Sequence, residues 1–127
     1  MPRILLIEDN EQSRDALARR LMRRGFDVIT ACDGEDGVAK AQSEAPDLLL
    51  MDMNMPILDG WQAAQAIKAN QKTRHLPIIG LTAHAMSGDR EKALGAGCVD
   101  YHTKPVDFAR LMSQIETVLR KTSTGTA

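Results

Sequence analysis

The sequence predicts an α/β fold, a doubly wound parallel sheet covered by helices on both faces, and three observations carry that expectation. Four apolar residues run without a polar break at Ile4–Ile7 and again at Leu48–Met51, and Pro77-Ile-Ile-Gly-Leu-Thr82 repeats the theme. Runs this short, bounded by turn formers, suit strands buried on both faces. Segments of helical period separate them, so five strands alternate with five helices. Right-handed crossovers leave few ways to wind such a chain. The strand order 2-1-3-4-5 puts the three most apolar strands, the first, third and fourth, in the middle.

The first strand, Arg3-Ile-Leu-Leu-Ile-Glu-Asp9, ends in two adjacent carboxylates. Asn10 is a good N-cap for the first helix, in which Leu17 and Leu21 recur at helical spacing with Ala16 and Met22 beside them. Gly25 suits its C-terminal stop. Asp27-Val-Ile-Thr30 is a shorter, more polar strand at an edge. Asp33 or Gly34 opens a second helix with Val38, Ala41 and Ala45 on one face, and Pro46 closes it.

The third strand meets a carboxylate at Asp52, in the stretch Asp47-Leu-Leu-Leu-Met-Asp52-Met-Asn-Met-Pro56. A loop from Met53 to Leu58 and the turn signal Asp59-Gly60 lead to a third helix carrying Trp61, Ala64 and Ile67. Asn70 to His75 reads as a surface connection, and the fourth strand ends in the Thr82 hydroxyl. Ser87 can cap a fourth helix reaching about Ala96, with Gly97 to end it. Leu94 is its one large aliphatic beyond Met86, so this helix has the least to bury. Val99-Asp-Tyr-His-Thr103 alternates weakly and suits the other edge. Lys104-Pro105 ends it, and Asp107 caps a last helix with Leu111, Ile115, Val118 and Leu119 facing inward.

The totals narrow the function classes. A chain of 127 residues fits one domain with a real core, here residues 1–121, followed by a small polar tail, 122–127, expected to fray. A net charge of -1 gives no global basic field to draw the chain to nucleic acid or acidic membrane. No run approaches the roughly 20 apolar residues of a membrane span. Met1-Pro2-Arg3 leads straight into a strand, without a signal-peptide pattern. Cys32 and Cys98 lie far apart without metal spacing, as expected of reduced thiols in a cytoplasmic protein.

In sheets wound this way the functional crevice lies outside the carboxyl ends of the strands, beside the first and third. Glu8, Asp9, Asp52, Thr82 and Lys104 all fall at such ends. Three acids so placed repel by roughly 4 kcal/mol per close pair at 4 Å and an effective dielectric near 20. A divalent cation together with Lys104 would neutralise them. Hard carboxylate oxygens, with no His or Cys positioned to join, favour Mg²⁺ or Mn²⁺ over zinc. Asp9, Asp52 and a backbone carbonyl of the following loop can hold the ion, with Glu8 reaching it through water. An Asp beside such an ion, with a Lys and a Thr hydroxyl nearby, suits attack on phosphorus by a carboxylate.

These motifs, taken together with Thr82-Ala83 and Lys104-Pro105, resemble the receiver domain of bacterial response regulators in two-component systems, over essentially the whole chain from Arg3 to about Lys121. The resemblance implies a flavodoxin-like (βα)5 fold. With no effector domain after the last helix, the expectation is a stand-alone receiver of the chemotaxis-regulator type, the alternative being a piece cut from a longer protein in which residues 122–127 start a linker. It makes Asp52 the acceptor of phosphate from a histidine on a sensor kinase or phosphotransfer domain. It assigns Mg²⁺ to Asp9, Asp52 and the main-chain carbonyl of Asn54, with Glu8 assisting, and the phosphoryl oxygens to Thr82 and Lys104. Tyr101 matches the aromatic switch position, and the bond before Pro105 is expected to be cis. His84, two residues past Thr82, falls where the family tunes phosphate loss; His75 and His102 read as surface residues.

The output of such a switch is a changed surface that docks a downstream protein, with no DNA bound by this chain itself. The arginines of the first helix, Arg14, Arg19, Arg20, Arg23 and Arg24, then form a solvated face or help dock a kinase. A Mg²⁺-dependent phosphatase would usually carry a second Asp two residues past the nucleophile, where Asn54 stands. A flavodoxin-like nucleotide or flavin carrier would want a Gly-, Ser- or Thr-rich phosphate loop where Glu8-Asp9-Asn10 stands.

Overall fold

A computed structural model of the protein describes residues 2–53, 55, 60–82, 91 and 94–125, with side chains as far as residue 121. Five parallel strands, β1 (Arg3–Ile7), β2 (Asp27–Ala31), β3 (Leu48–Asp52), β4 (Ile78–Thr82) and β5 (Asp100–Thr103), form one sheet in the order β2-β1-β3-β4-β5. The expected order is the observed one, with the three apolar strands central. The described residues hold four helices: α1 (Glu11–Arg23), α2 (Gly34–Ser43), α3 (Gly60–Ala69) and a C-terminal helix, Phe108–Gly125, that continues past Lys121.

Side chains alternate across a strand, so each apolar run feeds two cores. Leu5, Ile7, Leu49 and Met51 pack with Ala41 of α2 and with Ala63, Ala64 and Ile67 of α3. Ile4, Leu6, Leu48 and Leu50 point the other way, toward Leu17, Ala18 and Leu21 of α1 and Leu111, Met112 and Ile115 of the C-terminal helix. Each of these strand residues has no exposed surface. Burying such a side chain contributes about 1.5–3 kcal/mol, which is why unbroken apolar runs occupy the centre of the sheet.

Several local expectations fail for identifiable reasons. In α1 the inward residue beside Leu17 and Leu21 is Ala18; Ala16 and Met22 face outward. Ala45 is exposed and lies beyond α2 with φ 48°, because a residue before proline is pushed out of the right-handed helical region. Within the otherwise exposed connection after α3, Thr73 is buried, and its hydroxyl donates to the Ile67 carbonyl at 2.7 Å. That carbonyl also accepts the Asn70 N–H at 3.4 Å, so the hydroxyl adds a second, shorter bond at the end of α3. Most of the helix expected from Ser87 to Ala96 lies outside the described residues. At its end Leu94 is 41% exposed, and Ala96 takes the buried position. Val99 is exposed and precedes β5. Among the described residues, no helix is long and apolar enough to cross a membrane.

Candidate functional site

The register brings the polar strand ends to one edge. Ile7 pairs with Met51, so Glu8 and Asp52 leave adjacent strands at the same level. Asp52 pairs with Leu81 and Thr82 with Thr103, which brings Lys104 one residue beyond the same edge. Asp52 is 3% exposed, Glu8 4% and Thr82 2%, whereas Asp9 is open to solvent. One oxygen from each of Glu8, Asp9 and Asp52 lies within 4.8 Å of the others.

The Lys104 ammonium closes this cluster from the far side of the sheet. Its Nζ donates to Glu8 Oε2 at 3.2 Å and stands 3.4 Å from Asp52 Oδ2. The Lys104 backbone N–H donates to the Thr82 carbonyl at 2.7 Å, tying the loop after β5 to the end of β4. The Lys104-Pro105 bond is cis, as expected. Glu8 is held from α1 as well: Asn10 N–H donates to Oε1 at 3.3 Å, and Arg14 Nη1 donates to the Glu8 carbonyl at 3.0 Å.

Burial pushes the Glu8 carboxyl above its ordinary range, and the neighbouring Asp52 charge adds to the effect; Lys104 and the Asn10 amide only partly offset it. For Lys104, burial works against the charge, but Asp52 and Glu8 outweigh it and hold the ammonium above the ordinary lysine value. The lysine therefore stays cationic among the acids. Three carboxylates against one ammonium still leave negative charge in excess. The donors are all hard oxygens, and one of the acids faces solvent, which suits a Mg²⁺ ion that keeps several waters.

Other site residues differ in what can be said of them. Tyr101 is half-buried on β5 opposite Gly80, packs against the α2–α3 core, and shares a sheet face with Thr82. Asn54, Pro56, Asp59, Ala83 and His84 lie outside the described residues. His75 is exposed, as expected. His102 is the correction: it has no exposed surface. It faces the opposite side from Tyr101, opposite Leu81 in register, where a polar side chain is kept by its hydrogen bonds to Gln114 and Asp107.

Gly60 also has more to do than end a turn. It opens α3 directly against the site, where an added Cβ would meet the Asp52 carbonyl oxygen at 2.6 Å and the Met53 Cα closer still. Its neighbour in sequence, Asp59, marks it as a turn residue, but nothing in the sequence marks the close approach. Arg14 carried only its place in a run of arginines.

A family model described as response regulator receiver domain matches residues 4–116. Transcriptional regulatory protein AfsQ1 of Streptomyces coelicolor is 40% identical over 121 residues, which cover 95% of this chain and 52% of that protein. Hybrid signal transduction histidine kinase I of Dictyostelium discoideum is 40% identical over 126 residues, covering 94% of this chain and 7% of the kinase. The chain thus spans about half of the one relative and a small fraction of the other. Among solved structures, the receiver domain of a sensor histidine kinase from Pseudomonas aeruginosa superposes with a TM-score of 0.81 at 38% identity, covering 94% of this chain and 95% of that one. That domain carries a magnesium ion coordinated in its active site cleft.

Proposed function

Because this chain belongs to the response regulator receiver family of two-component signalling, we propose that it is a phosphorylatable switch whose Asp52 accepts a phosphoryl group from a phosphohistidine. The donor is a sensor histidine kinase or a histidine phosphotransfer domain. Two of the similar proteins are themselves named as histidine kinases, which supports that partner class. The observation that carries the reading is the convergence of the buried Asp52 with Glu8, Asp9 and the Lys104 ammonium at one sheet edge.

In the reaction an Asp52 carboxylate oxygen attacks phosphorus, the P–N bond to imidazole breaks, and an acyl phosphate forms. Lys104 is already charged and within 3.4 Å of Asp52, so it can move onto the phosphoryl oxygens as their charge arrives. The Thr82 hydroxyl donates to one of them. Asp9, Asp52 and the main-chain carbonyl of Asn54 would hold Mg²⁺, or Mn²⁺ in its place, with Glu8 assisting. When bound, that ion neutralises phosphoryl charge and lets an anionic donor approach three acids. The aspartyl phosphate is later lost to water. The protein thereby catalyses only its own phosphorylation and dephosphorylation, and turns over no external substrate.

The output is a changed docking surface around Thr82 and Tyr101, read by a protein target. With a net charge of -1, the chain has no field to hold duplex DNA by itself. Transfer of radiolabel from the phosphohistidine of purified kinases or phosphotransfer domains tests the reading. Label should pass to the wild type and not to Asp52→Asn. Equal transfer to both proteins, or none from any donor that phosphorylates other receivers, would contradict it.

A further inference from the structure

A histidine and a glutamine outside the acidic edge brace the loop that carries Lys104. The Asp107 backbone N–H donates to His102 Nε2 at 3.1 Å, so that ring nitrogen carries no proton. The neutral ring then holds its proton on Nδ1, which donates to Gln114 Oε1 at 2.7 Å. The Gln114 amide nitrogen in turn donates to the Tyr101 carbonyl at 2.9 Å and to Asp100 Oδ2 at 3.0 Å. Every polar atom of the two side chains thus has a partner fixed by its own chemistry.

The ring spans the neck of a loop. It sits at residue 102 and holds residue 107, with Lys104 and the cis bond to Pro105 between. At the other side, the Lys104 N–H is held by the Thr82 carbonyl at 2.7 Å. His102 itself is fully buried opposite Leu81, on the sheet face away from Tyr101. An apolar residue of similar size would pack there but would offer no acceptor to Asp107. The polar side chain is explained by the loop, and the loop by what it presents.

We propose that His102, oriented by Gln114, is a positioning residue for phosphoryl transfer, fixing the loop of residues 103–107 so that the Lys104 ammonium stays within reach of Asp52 and Glu8. The inference rests on Asp52 being the phosphoacceptor. His102 touches no reacting group and acts through Lys104 alone.

The test is a double-mutant cycle on the initial rate of Asp52 phosphorylation by acetyl phosphate in saturating Mg²⁺. His102→Leu should slow the wild-type reaction roughly tenfold, since a displacement of about 1 Å at a positioned group costs up to a hundredfold. His102→Gln, whose side-chain oxygen can accept the Asp107 N–H, should recover most of the rate. In a Lys104→Ala background, His102→Leu should change nothing further, because no ammonium remains to be positioned. If His102→Leu does not fold, Gln114→Leu takes its place in the same cycle, removing the partner that orients the ring. A wild-type rate in the single variant, or a second tenfold loss without Lys104, would overturn the inference. A wild type that takes no label would instead overturn the phosphoacceptor reading on which it rests.

Discussion

The Lys104 ammonium lies 3.4 Å from Asp52 Oδ2 while hydrogen-bonded to Glu8 Oε2, so one cation is shared between two buried acids. A divalent ion entering the same cluster is repelled by it, and an incoming phosphoryl group is attracted. Replacing Lys104 should therefore move two measurements in opposite directions. Lys104→Met is expected to bind Mg²⁺ more tightly by calorimetry and to be phosphorylated about a hundredfold more slowly, the scale of a lost charge-stabilising donor. A parallel loss of both would mean that the lysine supports the metal site instead.

Glu8 gives a pH prediction. Its carboxyl is held above the ordinary 4.5 by burial and by the charge of Asp52. The folded chain then binds that proton more tightly than the unfolded chain does, so the stability it contributes is complete below pH 4.5. It is lost as the pH rises through the raised folded value. In chelator, Glu8→Gln should unfold at a higher urea concentration than the wild type at pH 7, with the gap closing toward pH 4. A gap that widened on acidification would contradict the sign.

Two glycines with opposite surroundings test the packing beneath the site. At Gly60 a Cβ would press on the Asp52 and Met53 backbone, whereas at Gly95 it would meet nothing within 4 Å. Gly60→Ala should cost about 1–3 kcal/mol, as overpacking does, and should slow phosphorylation. Gly95→Ala should stabilise by about 0.4–1 kcal/mol. Urea unfolding of both variants distinguishes the sites, and equal effects would refute the close approach.

What the sequence made legible follows from how many residues carried each signal. Four-residue apolar runs define β1, β3 and β4 redundantly, and their polar ends fix the edge at which Glu8, Asp52, Thr82 and Lys104 meet. His102 had no such redundancy. Its strand alternates weakly, and its partner Gln114 lies 12 residues away on another element, so only the folded chain joins them. Ala45 failed in the same way, extrapolated from a helical period that ended before it. Thr73 is a hydroxyl whose burial depends on a carbonyl six residues back.

Thr82 and Tyr101 share a sheet face, two strand positions from a direct pairing. On the proposed reading, a phosphoryl group of about −2 charge on Asp52 would give the Thr82 hydroxyl a new acceptor and draw it inward, and the Tyr101 ring would follow into the vacated space. A beryllium fluoride complex that mimics the phosphate should shift the amide resonances of Thr82 and of Tyr101 to Lys104 more than those of α2. Thr82→Ala should still accept phosphate but transmit a weaker change. Larger shifts in α2, or an intact response in Thr82→Ala, would show that the coupling runs elsewhere.

The most direct measurement is the intact mass of the protein after incubation with acetyl phosphate, with Mg²⁺ or with excess chelator, for the wild type and Asp52→Asn. The cluster of Glu8, Asp9 and Asp52 repels an anionic donor, and on the proposed reading a bound cation would remove that repulsion. One added phosphoryl group should appear on the wild type, only with Mg²⁺, and none on the variant. Equal labelling of both proteins, or full labelling in chelator, would contradict the assignment of Asp52 as a metal-dependent phosphoacceptor.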